Sequence, residues 1–227
     1  MVDRTGKGQL LERPVIIPHD GRCLDGVYLR GEQTPPLLVA SPHPKLGGSM
    51  LNPVVNELAY AAARCGHASL RFDYRGVGAS EGEVSDDPEH AVTDMRGALD
   101  HLLETAPSPN VALAGYSFGC WPALLLAARD PRVDRLLLVA PPRKLLDLPD
   151  YASVGIPIVV AVGENDAIAD LAKERALVEA VTPRARLEVL READHVFRNA
   201  LVELARITER LLGVRQPRTH RADPDQV

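Results

Sequence analysis

Residues 110–130 read NVALAGYSFGCWPALLLAARD, one serine between two glycines with an apolar run on either side. The run before it, residues 111–115, is short, continuous and apolar, the pattern of a strand buried on both faces. The run after it is long enough for a helix and carries Pro122 near its first turn, where a missing N–H costs least. A strand that reverses into a helix at one residue forces that residue, Ser117, into a strained backbone conformation. Positions two away on either side then crowd together, and Gly115 and Gly119 bring no Cβ to clash. The hydroxyl projects above the C-terminal edge of a sheet, beside the free N–H groups of a helix start. In that setting, G-x-S-x-G reads as a nucleophile turn.

The rest of the chain repeats the same alternation. Residues 14–18 and 23–29 read as an antiparallel start around the turn His19-Asp20-Gly21. Continuous apolar runs follow at 36–41, 68–72, 135–140 and 157–163, and a half-polar last strand, suited to a sheet edge, at 185–190. Between them the helical spacing predicts helices over 53–65, 88–104, 118–130, 171–181 and 196–212. Gly66 stops the first, and Asp87 with Pro88 starts the second. The expected fold is α/β: a mostly parallel eight-stranded sheet with helices on both faces. Residues 143–155 leave little room for an inserted lid domain. A single domain is expected over 1–212, and a polar, Pro-containing disordered tail over 213–227.

A serine hydroxyl needs a base to take its proton. His195 stands just past the last strand, on the same edge as Ser117, and is the predicted base. His67 and His101 are placed at or near helix C-termini, His19 in the early hairpin, His90 in an acidic helix start and His220 in the tail. The acid that orients the imidazole belongs on the same edge. Asp166, three residues beyond Gly163, is the first choice. Asp147, after the preceding strand, is its rival, and Asp194 adjoins the histidine too closely to face it.

Ser117, Asp166 and His195 in that order, with G-x-S-x-G after a strand, resemble the α/β-hydrolase superfamily. The resemblance runs from the early hairpin to the last helix. SPHPKLGGSMLNPVVNELA, from Ser41, is similar to the oxyanion loop after the family's third strand, and RFDYRGVGASEG, from Arg71, to the loop after its fourth. The His-Pro-x-x-Gly-Gly pattern resembles small lidless bacterial hydrolases and esterases, with Ser41 where that subgroup usually has His. The resemblance implies an oxyanion hole of two backbone N–H groups, one from Phe118 and one from the loop. Pro42 and Pro44 carry no N–H, so Lys45 is expected to supply the second, ahead of Leu46. Leu46, Gly47 and Tyr116 are expected to contact substrate.

Composition narrows the partners. The chain has 227 residues, 45% hydrophobic and 25% charged, with net charge -5 and no basic cluster, which argues against nucleic acid. No apolar run approaches a membrane span or a secretory signal, and three cysteines without a CxxC pair suit a reduced, cytoplasmic protein. The acidic group around Asp86, Asp87, Glu89, His90 and Asp94 reads as a capped helix start rather than a metal site. No metal or cofactor is expected. The expected activity is hydrolysis of a small acyl substrate, an ester or thioester, with oligomeric state open. Acyl transfer or lyase chemistry on the same fold, and a non-catalytic binding protein, are the alternatives.

Overall fold

The computed structural model describes residues 10–213. Eight strands, β1 (Glu12–His19), β2 (Arg22–Leu29), β3 (Gln33–Ala40), β4 (His67–Phe72), β5 (Val111–Tyr116), β6 (Val133–Val139), β7 (Ile158–Gly163) and β8 (Ala185–Leu190), form one sheet. Its order is β1-β2-β4-β3-β5-β6-β7-β8. β1 and β2 pair antiparallel and β2 meets β4 antiparallel; every later pairing is parallel. The half-polar β8 lies at the edge, as its sequence predicts, while β4, β5 and β7 are buried along their whole length.

Five helices cover the two faces: α1 (Pro53–Arg64), α2 (Pro88–Thr105), α3 (Cys120–Arg129), α4 (Leu171–Glu179) and α5 (Leu201–Leu211). Alternation along the strands divides the core. Leu38, Leu113 and Leu136 pack with α2 and α3 through Met95, Leu99 and Leu124. Leu37, Val39, Ala112 and Leu137 pack with α1 and α5 through Val55, Leu58, Leu204 and Ile207. Each such buried leucine contributes about 1.5–3 kcal/mol, so neither face can be stripped without losing the fold.

The helix ends follow local chemistry. Asn52 caps α1 by accepting from the Val54 N–H, and Gly66, at φ 85°, ends it. Asp87 caps α2 through the Glu89 N–H. α5 starts at Leu201, five residues later than its apolar spacing predicts. The Asp194 carboxylate takes the Val196 N–H and Phe197 sits at φ 54°, so residues 191–200 make turns before the helix begins. His67 stands just past the end of α1, near a helix C-terminus as read, but it opens β4 and is buried rather than at the surface, with its Nδ1 2.9 Å from the Pro35 carbonyl oxygen. Between β6 and β7 there is only a single 3-10 turn, Tyr151–Ser153, and no lid domain. Of the expected tail, only Gly213 falls among the described residues. Among those residues no helix is long and apolar enough to cross a membrane.

Candidate active site

β5 delivers Ser117 to the C-terminal edge at the sheet's centre. Ser117 has φ 52°, a left-handed conformation that costs a non-glycine residue energy, and a 3-10 turn, Ser117–Gly119, leads into α3. The flanking glycines are obligatory. A Cβ on Gly115 would lie 2.3 Å from the Gly119 carbonyl oxygen, and one on Gly119 2.6 Å from that of Ala40. Close packing of β3, β5 and α3 at this point therefore holds the serine in its strained shape.

His195 Nε2 lies 3.0 Å from Ser117 Oγ, and its Nδ1 2.8 Å from Asp166 Oδ2. An ionised carboxylate only accepts, so Nδ1 carries the proton and Nε2 is left to accept from the serine. Asp166 is fully buried in its side chain, with Oδ1 accepting the N–H groups of Ile168 and Ala169. Burial opposes its charge, but the bonds from His195, Ala169 and Ile168 prevail and hold the carboxyl below its usual range. Asp147 stands exposed on the segment after β6, and Asp194 is spent on the Val196 N–H.

Two loops that meet edge to edge set this spacing. The Asn165 N–H donates to the Ala193 carbonyl at 2.9 Å, the Glu164 N–H to that of Leu190 at 2.9 Å, and the Glu192 N–H to the Glu164 carboxylate at 3.0 Å. A Cβ on Gly163 would lie 2.5 Å from the Ala193 carbonyl oxygen, so glycine permits the approach. Tyr116 supports the loop from below: its hydroxyl donates to the His195 carbonyl at 3.0 Å. Tyr116 thus borders the cleft with its polar end already committed.

The cleft above Ser117 has a volume of about 450 Å³. Leu46, Gly47, Gly48 and Asn52 line it from the loop after β3, and Pro142, Leu145 and Leu146 from the segment after β6. Lys45 does not line it; its ammonium bonds Asp86 at 2.8 Å. The Leu46 and Gly48 N–H groups both donate to the His43 carbonyl, closing the turn. His43, which the reading of the sequence passed over, does line the cleft and sets its ring 5.0 Å from that of Phe118. The signal for His43 lay in the loop itself: between Pro42 and Pro44 it is the one residue with an N–H to offer.

The two walls are anchored differently. Ser41 is buried with its Oγ donating to the Phe72 carbonyl, and Asp73 Oδ1 accepts the Met50 N–H at 2.6 Å. Burial raises the Asp73 carboxyl, with the Met50 bond pulling the other way. Arg143 forms a buried ion pair with Glu174 of α4, which also accepts from the Tyr151 hydroxyl. The same guanidinium donates to the Leu148 and Pro149 carbonyls, so the segment folds around its own arginine. The acidic group near α2 is likewise accounted for: Asp87 caps the helix, Glu89 pairs with Arg129, and Asp94 with Arg75.

The family model Hydrolase_4, described as serine aminopeptidase S33, matches residues 52–149. An uncharacterised protein of Rickettsia prowazekii is 30% identical over 198 residues, 82% of each chain. An alpha-beta serine hydrolase homologue from Coxiella burnetii superposes with TM-score 0.77 at 28% identity, covering 87% of this chain and 96% of that one. A serine hydrolase without lid from Xanthomonas campestris gives TM-score 0.76 at 25% identity, over 88% and 92%.

Proposed function

The chain belongs to the α/β-hydrolase superfamily, and on that premise we propose that it is a serine hydrolase cleaving carboxylic esters, with thioesters second, through an acyl-enzyme on Ser117. The observation that carries this reading is the hydrogen-bonded series Ser117–His195–Asp166, aimed into a cleft from a strained turn.

Ser117 Oγ attacks the acyl carbonyl carbon as His195 Nε2 takes its proton. Negative charge moves to the carbonyl oxygen, where the Phe118 N–H meets it at the start of α3. The second donor comes from the loop after β3. Lys45 is the residue expected from the sequence, but His43 lines the cleft where Lys45 does not, and its N–H suits the role better. The intermediate collapses as the imidazolium gives its proton to the leaving alkoxide, and an alcohol departs. Water then repeats the sequence: His195 takes a proton from it, hydroxide adds to the acyl carbon, and Ser117 leaves with the proton returned. Asp166 holds the Nδ1–H tautomer and offsets the imidazolium charge throughout.

The test is covalent trapping. A fluorophosphonate probe is expected to label the wild-type chain at Ser117, and Ser117→Ala is expected to lose labelling and to lower ester turnover by about 10⁴-fold or more. Equal labelling of the two chains would overturn the reading.

A further inference from the structure

The cleft has no ionised wall. None of its lining residues is Asp, Glu, Lys or Arg. Three charged residues on the loops that flank it are already paired: Lys45 with Asp86, Arg143 with Glu174, Asp166 with His195. The Lys144 ammonium donates to the Ala167 carbonyl outside the cleft. A substrate carboxylate or ammonium entering here would lose its hydration and meet no counter-charge, which is strongly unfavourable.

What the cleft does offer is apolar. Pro142, Leu145, Leu146 and Ile168 form one side, with Leu46 across from them. Leu46 and Leu145 are 79% and 68% exposed, one on each lip. Leu51, 64% exposed, and Val196, 43% exposed, stand on loops of the same edge. Large apolar side chains gathered around one opening mark surface that a ligand covers. The volume, about 450 Å³, lies toward the small end of small-molecule sites.

We propose that this site takes uncharged carboxylic esters with an apolar acyl chain of medium length, and discriminates against acyl groups bearing a carboxylate or a free amine. The proposal rests on the serine-hydrolase reading above and narrows it. It also separates this chain from aminopeptidase chemistry, since an enzyme that grips a peptide's free amino end needs a carboxylate at the site. No Asp or Glu lines this cleft, and Asp166, which lies behind it, has both its oxygens occupied.

The experiment is a kcat/KM series at pH 7 on p-nitrophenyl acetate, butanoate, hexanoate and octanoate, with the p-nitrophenyl hemisuccinate and alanine p-nitrophenyl ester as charged counterparts. Ser117 labelling by a fluorophosphonate is followed in the same preparations. The expected result is a rise of roughly three- to fourfold per methylene up to hexanoate, with both charged esters at least about tenfold below butanoate. Leu145→Asp is expected to cut the hexanoate-to-acetate ratio by about tenfold with unchanged circular dichroism; Leu145→Ser is a milder second variant expected to move it the same way. A flat chain-length series, or preference for either charged ester, in a chain that still labels at Ser117 overturns the substrate class alone. Absence of labelling overturns the serine-hydrolase reading, and the substrate class with it.

Discussion

The two walls of the cleft are built on opposite principles. The loop over residues 41–52 is made of backbone: two prolines, two adjacent glycines, and the Leu46 and Gly48 N–H groups turned into the turn on the His43 carbonyl. The segment over 141–155 is made of side chains, wound around the buried Arg143–Glu174 pair and presenting leucines to the cleft. A donor for a developing oxyanion has to be placed to within a fraction of an ångström, which suits short, rigid backbone. An apolar wall tolerates looser placement, because dispersion and desolvation are non-directional. The difference teaches that precision and shape are carried by separate loops, each with its own anchor.

The sharpest way to break this contrast is to remove one partner of the ion pair. Arg143→Met strands the Glu174 carboxylate in the interior and is expected to cost about 3–5 kcal/mol in urea unfolding. The double variant with Glu174→Gln is expected to recover a large part of that loss, since no buried charge remains. Equal losses in the single and double variants would show that the pair does not anchor the wall as charges.

The backbone wall is expected to answer differently. A Cβ at position 48 would lie 2.4 Å from the Pro42 carbonyl oxygen. Gly48→Ala therefore shifts the loop, with an expected loss of about 1–3 kcal/mol in stability and about 10–100-fold in kcat/KM. The check is steady-state kinetics beside unfolding: activity should suffer more here than stability does. Further down the scale, Ser41→Ala removes one bond to the Phe72 carbonyl and is expected to cost about 1 kcal/mol in urea unfolding.

The two buried carboxylates behind the walls should also oppose each other in pH. Asp166 is held below its ordinary value, so its contribution is present above about pH 4 and lost as pH falls through the lowered value. Asp73 is raised, chiefly by burial, so its contribution is full below about pH 4 and lost as pH rises through the raised value. Urea unfolding between pH 3 and 7 is expected to show Asp166→Asn removing a gain and Asp73→Asn removing a loss. The same sign in both variants would contradict the assignment.

Much of the fold was legible because it depends on local pattern. A continuous apolar hexamer such as Val111–Tyr116 has few alternatives to a buried strand, and a proline after Asp87 has few alternatives to a helix start. The misreadings have equally physical causes. The spacing of Val196 to Leu212 is helical, yet the positive φ at Phe197 is imposed by packing Phe197 into the core and carries no mark in the sequence. His67 follows a helix stop at once, and only strand pairing draws it inside. Arg143 and Glu174 look like surface charges in their own segments. Nothing local says that residues 31 apart will find each other in the interior.

Ser117, Asp166 and His195 were put on one edge of a sheet by the sequence alone, because chain order and strand polarity decide where each loop emerges. Their spacing of 3.0 and 2.8 Å is a tertiary matter. It depends on loops 163–166 and 190–195 closing on one another, and on Tyr116 holding the histidine from beneath. The state of the loop's N–H groups is tertiary as well: the prolines have none, but only the folded turn shows that those of Leu46 and Gly48 are spent on the His43 carbonyl. Local pattern sets the elements because it acts through neighbours in the chain, whereas a reactive geometry is set by contacts between distant loops.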